Sequence, residues 1–252
     1  MMVKYLVQDD IAHIVLNRPS RLNAVSPPVV EELCSALENV IDQGVAALIL
    51  SGEGRAFCAG HDLKYESPSN DYAFVRRDIE RLQDVTRLIR RAPLPVIAAV
   101  HGYALGAGCE LALCSDYVIA ADNAVFGFPE VSVGLSITGG ISHVLPLTVG
   151  LMKAKELVLL GQQFGAQEAY DMGLISRVVP AQELLEEAFA TAKAMTALPP
   201  KAMGLAKIAL DRGMQSDLSA AMELETLHAL DTRGSDETTA ATAPFRQKPG
   251  EG

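Results

Sequence analysis

The chain of 252 residues has no tryptophan, and aromatic residues make up only 5% of it. A surface that binds single-stranded nucleic acid by stacking bases on aromatic rings has little to be built from. Positive charge is also short: 21 Lys and Arg stand against 31 Asp and Glu, a formal net charge of −10. That balance argues against a nucleic-acid partner, which needs a basic field. Six arginines do cluster locally, at Arg76, Arg77, Arg81, Arg87, Arg90 and Arg91, and read as the solvated face of a helix. No apolar run reaches the roughly 18 to 20 residues that a membrane span requires, so no membrane partner is expected.

Cysteine is sparse as well. Cys34, Cys58, Cys109 and Cys114 show no paired ligand spacing and no disulfide framework. With no secretory signal in view, the expected compartment is the reducing cytoplasm. Five scattered histidines, His13, His61, His101, His143 and His228, support no metal site. What the chain does have is 49% hydrophobic residues, enough to bury one substantial core at this length.

Hydrophobic period organises that core. Tyr5 to Val7 and Ile11 to Leu16 flank Asp9-Asp10 as an N-terminal hairpin. Pro27-Pro28 can start a helix with Val30, Leu33, Leu37 and Ile41 on one face. Ala46 to Leu50 reads as a buried strand, and 72–91 as an amphipathic helix striped by Val75, Ile79, Leu82, Val85 and Leu88. Strand, glycine turn and helix recur from 28 to 114, which predicts an α/β fold with helices covering a sheet. Short strands follow at Tyr117 to Ala121 and Ala124 to Phe126. Beyond about 138 the periodicity is mostly helical, with helices predicted at 151–160, 181–197, 201–212 and 218–230. The expected organisation is an α/β core over 1–195 and a helical region over 196–252, with a mobile tail from about 235.

Three stretches carry candidate chemistry. In His101-Gly102-Tyr103-Ala104-Leu105-Gly106-Ala107-Gly108-Cys109-Glu110 a strand feeds a glycine turn that opens into a helix. Free N–H groups at such a start favour negative charge, and Glu110 stands one helical turn on. In Gly54-Arg55-Ala56-Phe57-Cys58-Ala59-Gly60-His61-Asp62-Leu63-Lys64 small residues again follow a strand and leave the backbone approachable. In Phe126-Gly127-Phe128-Pro129-Glu130-Val131 a glutamate sits among apolar residues, which would raise its pKa and let it carry a proton near neutral pH.

In this order and spacing the three stretches resemble the crotonase superfamily, the enoyl-CoA hydratase/isomerase family. Asn17-Arg18-Pro19, Leu22-Asn23-Ala24, Pro95 to Val100 and Ala169 to Gly173 add to the likeness, which covers roughly residues 3 to 235. The resemblance implies a spiral of ββα units with a helical C-terminal trimerisation region, assembled as a homotrimer or a dimer of trimers. It implies an acyl-CoA thioester as ligand, with coenzyme A part of the substrate and no separate cofactor. The backbone N–H groups of Cys58 and Ala107 are then expected to form an oxyanion hole. Glu110 and Glu130 match the acid–base pair of the family's hydratases. Ala56, Ala59, Asp62 and Leu63 match the strip along which adenine and pantetheine lie, with Arg21 and Lys64 as phosphate contacts. Gly60, Gly106, Pro129 and Gly134 complete the expected ligand-binding set.

The implied reaction is reversible addition of water across the 2,3 double bond of an enoyl-CoA. An enoyl-CoA isomerase, needing one carboxylate at the Glu130 position, is the nearest alternative. A specialised member acting on an aromatic, branched or carnitine-linked acyl-CoA is the next, and a non-catalytic acyl-CoA binder the last. His61 stands where many members have a small residue, Phe128 where hydratases often have a polar one. Leu135 to Gly140 replaces a segment usually rich in proline and glycine. These departures bear on the acyl pocket more than on the reaction.

Overall fold

The computed structural model describes residues 1–246. Strands β1 (Val3–Gln8) and β2 (Ile11–Leu16) pair antiparallel around Asp9 and Asp10, both at positive φ (51° and 61°), the tight hairpin turn that short polar residues tolerate. Helix α1 (Pro27–Asp42) opens on its two prolines, and β3 (Ala47–Gly52) runs parallel to β2.

From there the chain repeats one unit. Strand β3 lies in a six-stranded sheet, β4 (Ala56–Cys58) in a four-stranded one, and α2 (Tyr72–Arg91) follows. Strand β5 (Val96–Val100) returns to the large sheet, β6 (Tyr103–Leu105) to the small one, and α3 (Ala107–Leu113) follows. Strands β7 (Tyr117–Ala121) and β8 (Val125–Gly127) repeat the step before α4 (Ile141–Val149) and α5 (Leu151–Leu160). The remaining elements are β9 (Gln163–Gly165), α6 (Ala166–Asp171), β10 (Arg177–Val179), α7 (Leu184–Thr196), α8 (Pro200–Gly213), α9 (Leu218–Thr232) and α10 (Asp236–Arg246). Strand β9 closes the small sheet beside β8, and β10 the large one beside β7. Three successive ββα units make the fold a crotonase-type spiral.

The central strands of the large sheet are largely apolar because both faces are covered, and the buried Ser51 of β3 is satisfied by His13 of β2 at 2.8 Å. Leu48, Leu50, Val96, Ala98, Val118 and Ala120 face the main core with α1 and α2. Ile49, Ile97, Ala99 and Ile119 face a second core closed by Leu184, Ala188 and Ala192 of α7. Helix α8 is tied to the body by Lys207, whose buried ammonium donates to the carbonyls of Ile89 and Leu94 and pairs with Asp116 at 2.7 Å.

Two local expectations change. The turn from 101 to 106 contains β6, a strand held by β4 on one side and β8 on the other. The segment from about 235, expected as a mobile tail, is helical from Asp236 to Arg246, while 247–252 lie outside the described residues. No helix among the described residues is long and apolar enough to cross a membrane.

Candidate active site

The two turns that leave the small sheet meet. Val25 bridges His61 in parallel fashion: its N–H donates to the Gly60 carbonyl at 2.8 Å, and its own carbonyl accepts from Asp62 N–H at 2.8 Å. In such a bridge the middle residue, His61, turns its own N–H away from the partner. Among the described residues that N–H has no acceptor, and neither has the N–H of Ala107, the first residue of α3. Ala107 lacks one because a helix start has no preceding turn to accept. His61, Gly60, Gly106 and Ala107 line one cleft with Pro129 and Glu130. Two unsatisfied backbone donors therefore border the same cavity.

Gly106 makes that approach possible. It sits at φ +52°, and a Cβ there would stand 3.0 Å from Glu130 Oε1 and 3.9 Å from the Gly60 Cα. Only glycine combines this conformation with this crowding.

Glu110 lies on the other side of Ala107. It is 3% exposed and lines a cavity of about 20 Å³ whose apolar walls include Leu33, Leu82, Val85 and Leu111. Its two oxygens accept from one residue: Thr138 N–H reaches Oε1 at 2.6 Å and Thr138 Oγ1 reaches Oε2 at 2.6 Å. Burial pushes the Glu110 pKa up, and these two hydrogen bonds pull against it. Glu130 is different. It is 8% exposed, and among the described residues neither of its carboxyl oxygens has a hydrogen-bond partner. Burial, reinforced by the negative charge of Glu110, raises its pKa from 4.5 to about 7. Burial therefore raises both carboxyls, but only Glu110 has donors that favour its anion, an asymmetry suited to general acid–base work.

The other expected residues divide. Ala59, Gly60, Leu63, Gly106 and Pro129 line the cleft, and Gly134 sits exposed between two residues that do, Val133 and Leu135. Arg21 and Lys64 are exposed, and Arg21 is close enough to Asp62 to act on its charge. Asp62 itself is engaged by Arg18 at 3.0 Å and by the Lys64 N–H at 3.1 Å. It braces the turn, and Arg18, which also donates to the Ala24 carbonyl at 2.7 Å, is a partner that sequence reasoning missed.

Ala56 and Cys58 are corrections. Both are fully buried in β4 and neither borders the cleft. The Cys58 carbonyl is packed against Gly108, where a Cβ would come within 3 Å of it. The donor expected at Cys58 falls instead three residues later, at His61. Phe128 is fully buried in the core behind Glu130. Thr138, within the segment that departs from the family pattern, was also missed.

Comparison with known proteins settles the family. The description "Enoyl-CoA hydratase/isomerase" belongs to a family model that matches residues 7–248. The chain belongs to the enoyl-CoA hydratase/isomerase family. A probable enoyl-CoA hydratase of Mycobacterium tuberculosis is 40% identical over 223 residues, covering 87% of this chain and 86% of that protein. A crotonyl-CoA hydratase of Syntrophomonas wolfei is 39% identical over 221 residues, covering 86% and 84%. Among solved structures, an enoyl-CoA hydratase from Bacillus anthracis superposes with a TM-score of 0.92 at 32% identity, covering 97% of this chain and 96% of that one.

Proposed function

We propose that this enzyme adds water reversibly across the 2,3 double bond of an enoyl-CoA thioester. The observation that carries the reading is the pair of buried glutamates on either side of Ala107, one clamped and one unpartnered. The reading also draws on relatives whose names include enoyl-CoA and crotonyl-CoA hydratase.

The chemistry follows from where charge must go. With the thioester carbonyl against the N–H groups of His61 and Ala107, attack at C3 builds negative charge on an oxygen that already faces two donors. Each such donor is worth about 3–4 kcal/mol in the transition state. Glu110, as the anion, takes a proton from water while the water oxygen bonds to C3. Glu130, protonated, delivers its proton to C2 as the enolate collapses, and one proton per turnover returns from Glu110 to Glu130 through solvent. Coenzyme A enters as part of the substrate, with the exposed Arg21 and Lys64 read as its phosphate contacts.

The assembly is read as a homotrimer or a dimer of trimers through the C-terminal helices, which expose Leu210, Met214, Leu218, Met222, Leu227 and Leu230. Light scattering on the purified protein checks that. The reaction is placed in the cytoplasm on the same reading.

The deciding experiment incubates purified protein with crotonyl-CoA and follows loss of the conjugated-thioester absorbance. Glu110→Gln and Glu130→Gln should each slow turnover by orders of magnitude and leave CoA-ester binding nearly intact. Full turnover in Glu110→Gln alone would favour double-bond isomerisation, which needs one carboxylate.

A further inference from the structure

We propose that Thr138 is a positioning residue: its hydroxyl and N–H together hold Glu110 as the ionised partner and thereby decide which of the two glutamates carries the proton. The inference rests on the hydratase reading for its kinetic consequence, but its structural content stands on the clamp alone.

The segment before α4 is shaped to present both donors. The Thr138 carbonyl accepts from Ile141 N–H at 3.0 Å, closing a turn that leaves the Thr138 N–H aimed at Glu110. The next residue, Gly139, sits at φ +59°, where a Cβ would stand 2.9 Å from the Glu110 Cβ. Its carbonyl accepts from Thr86 Oγ1 at 3.2 Å, which ties the turn to α2. Upstream, Leu135 N–H donates to the Glu130 carbonyl at 2.9 Å. The turn is thus anchored to Glu130 by backbone and to Glu110 by side chain.

Both Thr138 contacts are donations in the geometry found. A carboxylate accepts both; a carboxylic acid has a proton on one oxygen, and the hydroxyl would have to turn and accept instead. Hydrogen bonds to an ionised acceptor are roughly twice as strong as neutral ones, so the clamp selects the anion. The titratable groups facing Glu110 are Glu130 from the loop after β8 and Cys58 from β4, with Cys109 of α3 and Cys114 just past its end nearby. No charged side chain of α1 or α2 lines its cavity. The one other hydroxyl that lines the cavity, Thr86, is engaged with the Gly139 carbonyl.

The test compares wild type with Thr138→Val, which keeps size and the backbone donor, and Thr138→Ser, which keeps the hydroxyl. Carbon-13 NMR of the Glu110 carboxyl, assigned with Glu110→Gln, gives its titration midpoint without any substrate. The Val variant should raise that midpoint, and Ser should leave it near wild type. With crotonyl-CoA, Val should lower kcat about 10- to 100-fold, as expected for loss of a hydrogen bond to a charged group. Its KM should change little, its acid limb should move to higher pH, and Ser should restore the rate. An unchanged midpoint in Val, or a Ser variant as impaired as Val, overturns the proposal. If wild type leaves crotonyl-CoA untouched, the hydratase reading fails, while the substrate-free titration still judges Thr138.

Discussion

A methyl group placed on Gly106 would stand 3.0 Å from Oε1 of Glu130, with the backbone already at φ +52°. The residue before the Ala107 donor and the proton-carrying carboxyl are thus in mutual contact. Gly106→Ala would meet both a conformational cost of about 1–3 kcal/mol and a displaced Glu130. Turnover of crotonyl-CoA should fall by at least tenfold. Gly134 is the control. It also has positive φ, +75°, yet among the described residues nothing lies within 4 Å of its Cβ position, so Gly134→Ala should cost stability and spare the rate. Equal activity in the two variants would remove the claimed role of Gly106.

Glu130 links activity and stability through one proton. Its pKa in the folded protein is about 7, above the ordinary 4.5. The folded state therefore binds the proton more tightly than the unfolded chain. The associated stability is complete below about pH 4.5 and is lost as pH rises through about 7, amounting to about 3 kcal/mol over that window. Hydration, which needs the protonated form, should decline over the same upper limb. Glu130→Gln cannot titrate, so its melting temperature should fall less between pH 5 and pH 8 than that of wild type. Parallel melting curves for the two proteins across this range would contradict the assignment.

The backbone donors can be separated from the side chains that bear them. His61→Pro removes the N–H that faces the cleft; His61→Ala keeps it. The proline variant should lose about 100- to 1,000-fold in kcat, the usual cost of one oxyanion donor, while the alanine variant keeps most of its turnover. Cys58→Ala should leave kcat within about twofold, because a buried strand residue away from the cleft makes no contact with substrate. Were Cys58→Ala the damaging change and His61→Pro the harmless one, the oxyanion hole would have to be redrawn.

That redrawing shows where sequence reading stops. The 72–91 helix was legible from its stripe, and its bounds match α2. Glu110 and Glu130 stood out as candidates because each sits in a distinctive local motif. The donor at His61 was not, since the direction of its N–H depends on a bridge to Val25, 36 residues earlier in the chain. Thr138 was hidden for a related reason: its function exists only through a contact with Glu110 across 28 positions. Strand β6 is three residues long, too short for a period, and is a strand because β4 and β8 flank it. Helix α10 was obscured by its threonines, which disfavour helix. There Thr238 and Thr242 turn their hydroxyls back onto main-chain carbonyls, and the alanines between them favour it.

The cavity beside Glu110 sets the last expectation, on chain length. At about 20 Å³ it has room for little more than the end of a short acyl group. Leu33 of α1, Leu82 and Val85 of α2 and Leu111 of α3 wall it, all buried on helices packed against each other. A longer chain must push α2 aside, and close-packed interiors resist such displacement. Across a series from crotonyl-CoA to dodecenoyl-CoA, kcat/KM should therefore fall with length. Leu82→Ala opens space at a cost of about 2–5 kcal/mol in stability and should flatten the decline by improving the longer substrates more than crotonyl-CoA. A wild-type profile that rises with chain length would mean that the tail leaves the site by another route, and the wall at Leu82 would then set no limit.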